Sequence, residues 1–130
     1  MKLTYKELLD AQRQLTTLLQ LKPAPTARLA AQIARNTRMV EQSLRDFNTA
    51  RDVLIAPYMV DGKFGVEEET ALDPDVKQAL DAEYIELVET EVDVDVHPLK
   101  MTDIEAVEKS KPGFEIPTAI FYVLSWMFED

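Results

Sequence analysis

The chain contains no cysteine. A disulfide framework, a thiolate metal centre and a cysteine nucleophile are therefore excluded. There is a single histidine, so no cluster of imidazoles can assemble a catalytic zinc site. The three glycines, Gly62, Gly65 and Gly113, are too few and too scattered to cradle a phosphate. No G-x-S-x-G, P-loop, G-x-G-x-x-G or H-E-x-x-H pattern occurs. Long apolar runs are missing as well. The longest, residues 119–128, is about half of the ~20 residues that a membrane span needs. Met1-Lys2-Leu3-Thr4 does not open a signal peptide. These absences lead to the expectation of a soluble, cytoplasmic, non-enzymatic chain without cofactor.

What is present suffices for a folded domain. Of 130 residues, 46% are hydrophobic, enough to bury a core, and a single domain over 1–130 is expected. Charge is distributed unevenly. Residues 1–56 hold nine Lys/Arg against five Asp/Glu, a balance of +4, whereas residues 57–130 hold five against nineteen, a balance of −14. An acidic protein of this kind repels polyanions, which argues against direct binding of nucleic acid or anionic membrane. The match between a basic and an acidic half favours protein partners, with self-association among them.

The stretch 26–55 organises the chain. It has no Gly or Pro, and its length would give a helix of roughly 45 Å. Leu29, Ile33, Val40, Leu44, Phe47 and Leu54 step by 4, 7, 4, 3 and 7, which places them on one stripe. Arg28, Arg35, Arg38 and Arg45 step by 7, 3 and 7 and are expected nearly opposite, as a ridge. Ahead of it, Thr4-x-x-Glu7 has the form of a capping box for a first helix, with Leu8, Ala11, Leu15, Leu18 and Leu19 on one face. Pro23 and Pro25 break that helix, Thr26 can cap the next, and the two read as a helical hairpin over 1–56.

The acidic half, 57–130, is expected to pack on the hairpin. Asp61-Gly62 marks a turn, with a small β-hairpin over 58–66, and 67–70 reads as a loop. Asp73-Pro74 reads as the start of a third helix of about fifteen residues, marked by Val76, Leu80, Tyr84 and Leu87 with Ala79 and Ala82. Val92, Val94 and Val96 then alternate with Glu91, Asp93, Asp95 and His97, the repeat of a half-buried strand, which Leu99 and Met101 extend. Its partners are sought in 58–66 or 109–116. Thr102-x-x-Glu105 reads as a second capping box, 109–113 as a loop, and 118–128 as a buried apolar helix that either completes the hairpin's core or offers a docking surface to another chain. The fold class is thus α+β, predominantly α-helical.

Three groups could carry function. Asp81, Glu83, Glu86, Glu89, Glu91, Asp93 and Asp95 put seven acids within fifteen residues, an anionic face suited to a basic protein partner. The arginine ridge offers a second interface, since arginine is enriched where proteins meet. Asp93-x-Asp95-x-His97 has ligand types that suit a divalent metal, but no second motif completes a site, so no metal is expected.

The order of these pieces resembles a family of small proteins of tailed phages and prophages. The resemblance rests on the Leu-Thr-Tyr-Lys-Glu-Leu-Leu start of the first helix, the Lys22-Pro23 turn and the Asp46-Phe47-Asn48-Thr49-Ala50-Arg51 segment of the long helix. It continues through the Asp61-Gly62 turn, the strand leading to His97-Pro98 and the closing Met127-Phe128-Glu129-Asp130. The arginines of the long helix and the Pro23/Pro25 pair depart from that pattern. The resemblance implies a phage context and binding to other proteins, and it brings no catalytic residues. The expectation is a stoichiometric inhibitor or modulator of a host or defence protein, acting in the host cytoplasm. The alternative is a self-associating virion-assembly component.

Overall fold

A computed structural model describes residues 1–60, 63–64 and 74–129. Strand β1 (Lys2–Thr4) runs straight into helix α1 (Tyr5–Leu19). The capping box at this junction is formed: the Glu7 amide donates to Thr4 Oγ1 at 3.1 Å, and the Thr4 amide donates to Glu7 Oε1 at 3.1 Å. Helix α2 (Ala27–Ile55) begins at Thr26, whose hydroxyl accepts from the Leu29 amide at 3.3 Å. It ends one residue before a 3₁₀ turn that contains Pro57.

The Tyr5 and Phe47 rings lie 5.3 Å apart. The start of α1 therefore meets the far end of α2, so the hairpin is antiparallel. Leu8, Ala11, Leu15 and Leu18 of α1 and Leu29, Ile33, Val40, Leu44 and Phe47 of α2 are buried along this seam. Leu19 does not share it. It sits in the last residue of α1 and is exposed. Leu54 is half-buried, beyond the reach of the shorter helix.

The Pro-rich turn is held from outside. Lys111 Nζ donates to the Ala24 and Pro25 carbonyls at 2.8 and 3.4 Å. Gly113, at φ +88, lies against the Pro23 ring; that left-handed conformation strains any residue with a Cβ.

After α2, β2 (Met59–Val60) pairs antiparallel with β3 (Lys63–Phe64), as expected of a hairpin in this region. The predicted turn Asp61-Gly62, the loop 67–70 and the cap Asp73 lie outside the described residues. Helix α3 (Pro74–Val88) buries Leu80 alone. Tyr84, with Val76, is exposed, although its ring still meets Phe47 edge-on at 6.4 Å. The rest of its inward surface is the half-buried Leu87 and Val88.

The valine strand is regular only as β4 (Glu91–Asp93), and its partner is β1, antiparallel, with Lys2 opposite Asp93, Leu3 opposite Val92 and Thr4 opposite Glu91. Backbone bonds extend this ladder at both ends, from the Tyr5 amide to Thr90 and from the Val94 amide to Met1. The expected partners in 58–66 and 109–116 are therefore displaced by the first residues of the chain. A three-residue cap segment gives no period-two signal, which is why its role as a strand was not legible.

Nor does the strand continue through Leu99 and Met101. Leu99–Lys100 form β5, which pairs in parallel with β6 (Phe128–Glu129), and Met101 already belongs to α4 (Met101–Ser110). Because β5 runs directly into α4, Lys100 occupies the cap position and Thr102 sits inside the first turn, where its hydroxyl caps nothing. The helix takes in 109 and 110, so only 111–113 of the predicted loop is loop.

The apolar C-terminal segment is also divided. Helix α5 (Thr118–Val123) stops at Leu124, a 3₁₀ turn covers Ser125–Met127, and β6 follows. Ile120, Leu124 and Met127 are buried, whereas Tyr122 is 83% exposed, so the segment is not apolar to its surroundings on every side. It packs chiefly on α1. The remaining stripe of α2 is covered by α3 and by the 94–107 stretch. Buried residues from Leu3 to Met127 form one cluster drawn from both charge halves. The fold is α+β and mostly helical.

Candidate protein-docking surface

Asp81, Glu83 and Glu86 project from α3, Glu89 follows its last turn, Glu91 and Asp93 lie on β4, and Asp95 lies just beyond. All seven are exposed. None is held in an ion pair among the described residues. The helix and strand that carry them are tied together by the turn at 89–90, where the Thr90 hydroxyl donates to the Glu86 carbonyl at 3.0 Å. The side chains of Val76, Tyr84 and Ile85 are exposed among these acids. Beside them, Leu54, Ile55, Leu80 and Tyr84 line a mainly apolar cleft of about 290 Å³ between α2 and α3, with Arg51 and Asp81 also on its wall. Carboxylates interleaved with exposed apolar side chains can both steer a basic protein and give it dry contact area.

The four arginines are likewise exposed and unpaired among the described residues. They do not form one ridge facing away from the rest of the molecule. Arg28 lines a hollow with Gln32 and with Asp103 and Ala106 of α4. Arg35 and Arg38 line another, of about 320 Å³, with Met39, Gln42, Asp95 and His97. Chain crossing the flank of α2 thus reaches two of the sectors that these arginines border.

That crossing is pinned by a residue absent from the sequence-based candidates. Asn36 is fully buried. Its amide nitrogen donates to the His97 carbonyl at 2.8 Å, and its oxygen accepts from the His97 amide at 2.9 Å. Both backbone groups of His97 are satisfied by one side chain sixty-one positions away. The signal lay in the helical period: Asn36 is seven residues after Leu29 and four before Val40, an amide on the core stripe.

Asp93, Asp95 and His97 do not come together as a metal centre. No group of three His, Cys, Asp or Glu among the described residues is placed to hold a metal ion. Asp93 stays in the β1–β4 ladder, whereas His97 is drawn to α2. No helix among the described residues is long and apolar enough to cross a membrane. Compared with protein-family models, curated proteins and solved structures, the chain matches none.

Proposed function

We propose that this chain is a non-enzymatic, phage-encoded interaction protein that binds a basic host or defence protein stoichiometrically through the face built on α3 and β4. The observation that carries this reading is the state of α3: it contributes one buried side chain, Leu80, and turns Asp81, Glu83 and Glu86 outward together with Val76, Tyr84 and Ile85. A helix whose only purpose was to cover the core would bury a full stripe. The phage context comes from the sequence resemblance.

The test is affinity capture from a bacterial lysate at low and high salt, followed by mass spectrometry. One protein retained at low salt and released at high salt is expected, because exposed carboxylates act through screened fields. The triple variant Glu86→Lys, Glu89→Lys, Glu91→Lys should lose that protein while keeping its helical circular dichroism. Retention that ignores salt and survives the three reversals would overturn the proposal.

A further inference from the structure

Arg35 and Arg38 lie one turn apart on α2, and neither makes an ion pair or hydrogen bond among the described residues. They share the wall of one hollow with Asp95 and His97. Asp93 and Asp95 are exposed two residues apart on the chain that approaches this wall. The Asn36 clamp on His97 holds that chain against α2, yet Asp95 does not come within ion-pairing distance of either guanidinium. A positive patch and a negative patch therefore adjoin along one seam, and each keeps its charge turned to solvent.

Adjacent patches of opposite sign form a self-complementary surface. A two-fold axis through the seam sets the arginines of each copy on the carboxylates of the other, and both contacts form at once. Guanidinium groups suit this because each can take a carboxylate through two parallel hydrogen bonds. We infer that the seam is a homodimer interface in which Arg35 and Arg38 of one copy receive Asp93 and Asp95 of the second, reciprocally. Exposed ion pairs are individually weak and screened by salt, so the dimer is transient and salt-sensitive. This goes beyond the docking proposal and shares with its acidic face only Asp93 and Asp95: reversal of Glu86, Glu89 and Glu91 leaves the seam intact, and reversal of Arg35 and Arg38 leaves the acidic face intact, so either idea can fail alone.

The experiment is sedimentation analysis of the full chain over a concentration series at low and high NaCl. At low salt the mass should rise with concentration toward twice the chain's 14.8 kDa, and at high salt it should return to the monomer. The variant Arg35→Glu/Arg38→Glu should be monomeric, as should Asp93→Lys/Asp95→Lys. An equimolar mixture of the two should dimerise, since one contact is then the native Arg35/Arg38 on Asp93/Asp95 and the other is restored with its signs exchanged. Should either reversal perturb folding, judged by circular dichroism, Arg35→Gln/Arg38→Gln replaces it and should weaken association about tenfold. A wild-type chain that stays monomeric, a dimer that both variants preserve, or a mixture that remains monomeric would each overturn the inference.

Discussion

Asn36, itself buried, joins two distant parts of the chain by two hydrogen bonds at the edge of the core. Replacing it with Ala leaves the His97 amide and carbonyl without their partner and opens a small void. A loss of about 2–4 kcal/mol is expected, since each group stranded away from water costs about 1–3 kcal/mol. Asn36→Asp keeps the acceptor for the His97 amide but sets a carboxylate against the His97 carbonyl, so it should destabilise no less than Asn36→Ala. Urea denaturation of the two variants checks both expectations, and a loss below about 1 kcal/mol would mean that water replaces the clamp. The Thr4 box and the Thr26 cap, by contrast, act within one turn of the chain.

At the scale of elements, the long helix and its short partner behave as their spacing requires, because a stripe of Leu29, Ile33, Val40, Leu44 and Phe47 can be satisfied only by another apolar surface. Helix α3 is different. With Leu80 as its one buried anchor, 8% exposed, it has little apolar burial to resist opening. Hydrogen exchange should therefore proceed through α3 before α1 and the 27–47 part of α2. Protection of α3 equal to that of α1 would contradict this. Strand identity in this protein also belongs to the element scale: β1, β5 and β6 are each two or three residues long and exist only by pairing with a strand remote in sequence.

For the whole molecule, the uneven charge matters more than any one carboxylate. The acidic half carries −14, and the Arg51–Asp52 ion pair, at 3.4 Å, lies on the exposed end of α2 and outside that half. Repulsion among exposed acids should then exceed attraction. Added NaCl to about 0.2 M should raise Tm by roughly 2–4 °C in calorimetry, since screening removes more repulsion than attraction. A fall in Tm would show that attractive pairs dominate.

Much of this was legible in local order. The helix caps at Thr4 and Thr26, the hairpin, the core stripe and the exposure of the seven acids follow from spacing, because a side chain's position around a helix or across a strand is set by residue count alone. Where the period failed, the reading failed with it. Met1-Lys2-Leu3-Thr4 is too short to declare a strand, Thr102 mimics a cap that β5 displaces, and the apolar tail cannot announce that it breaks at Leu124.

The residues by themselves determined the α+β class, the antiparallel hairpin and the separation of charge, each a property of neighbours along the chain. Only the tertiary structure decided that β4 pairs with the N-terminus, that α3 buries Leu80 while leaving Val76 and Tyr84 exposed, and that Asn36 brings Asp95 and His97 beside Arg35 and Arg38. Those outcomes depend on which distant groups satisfy one another when water is excluded, and periodicity carries no record of that choice.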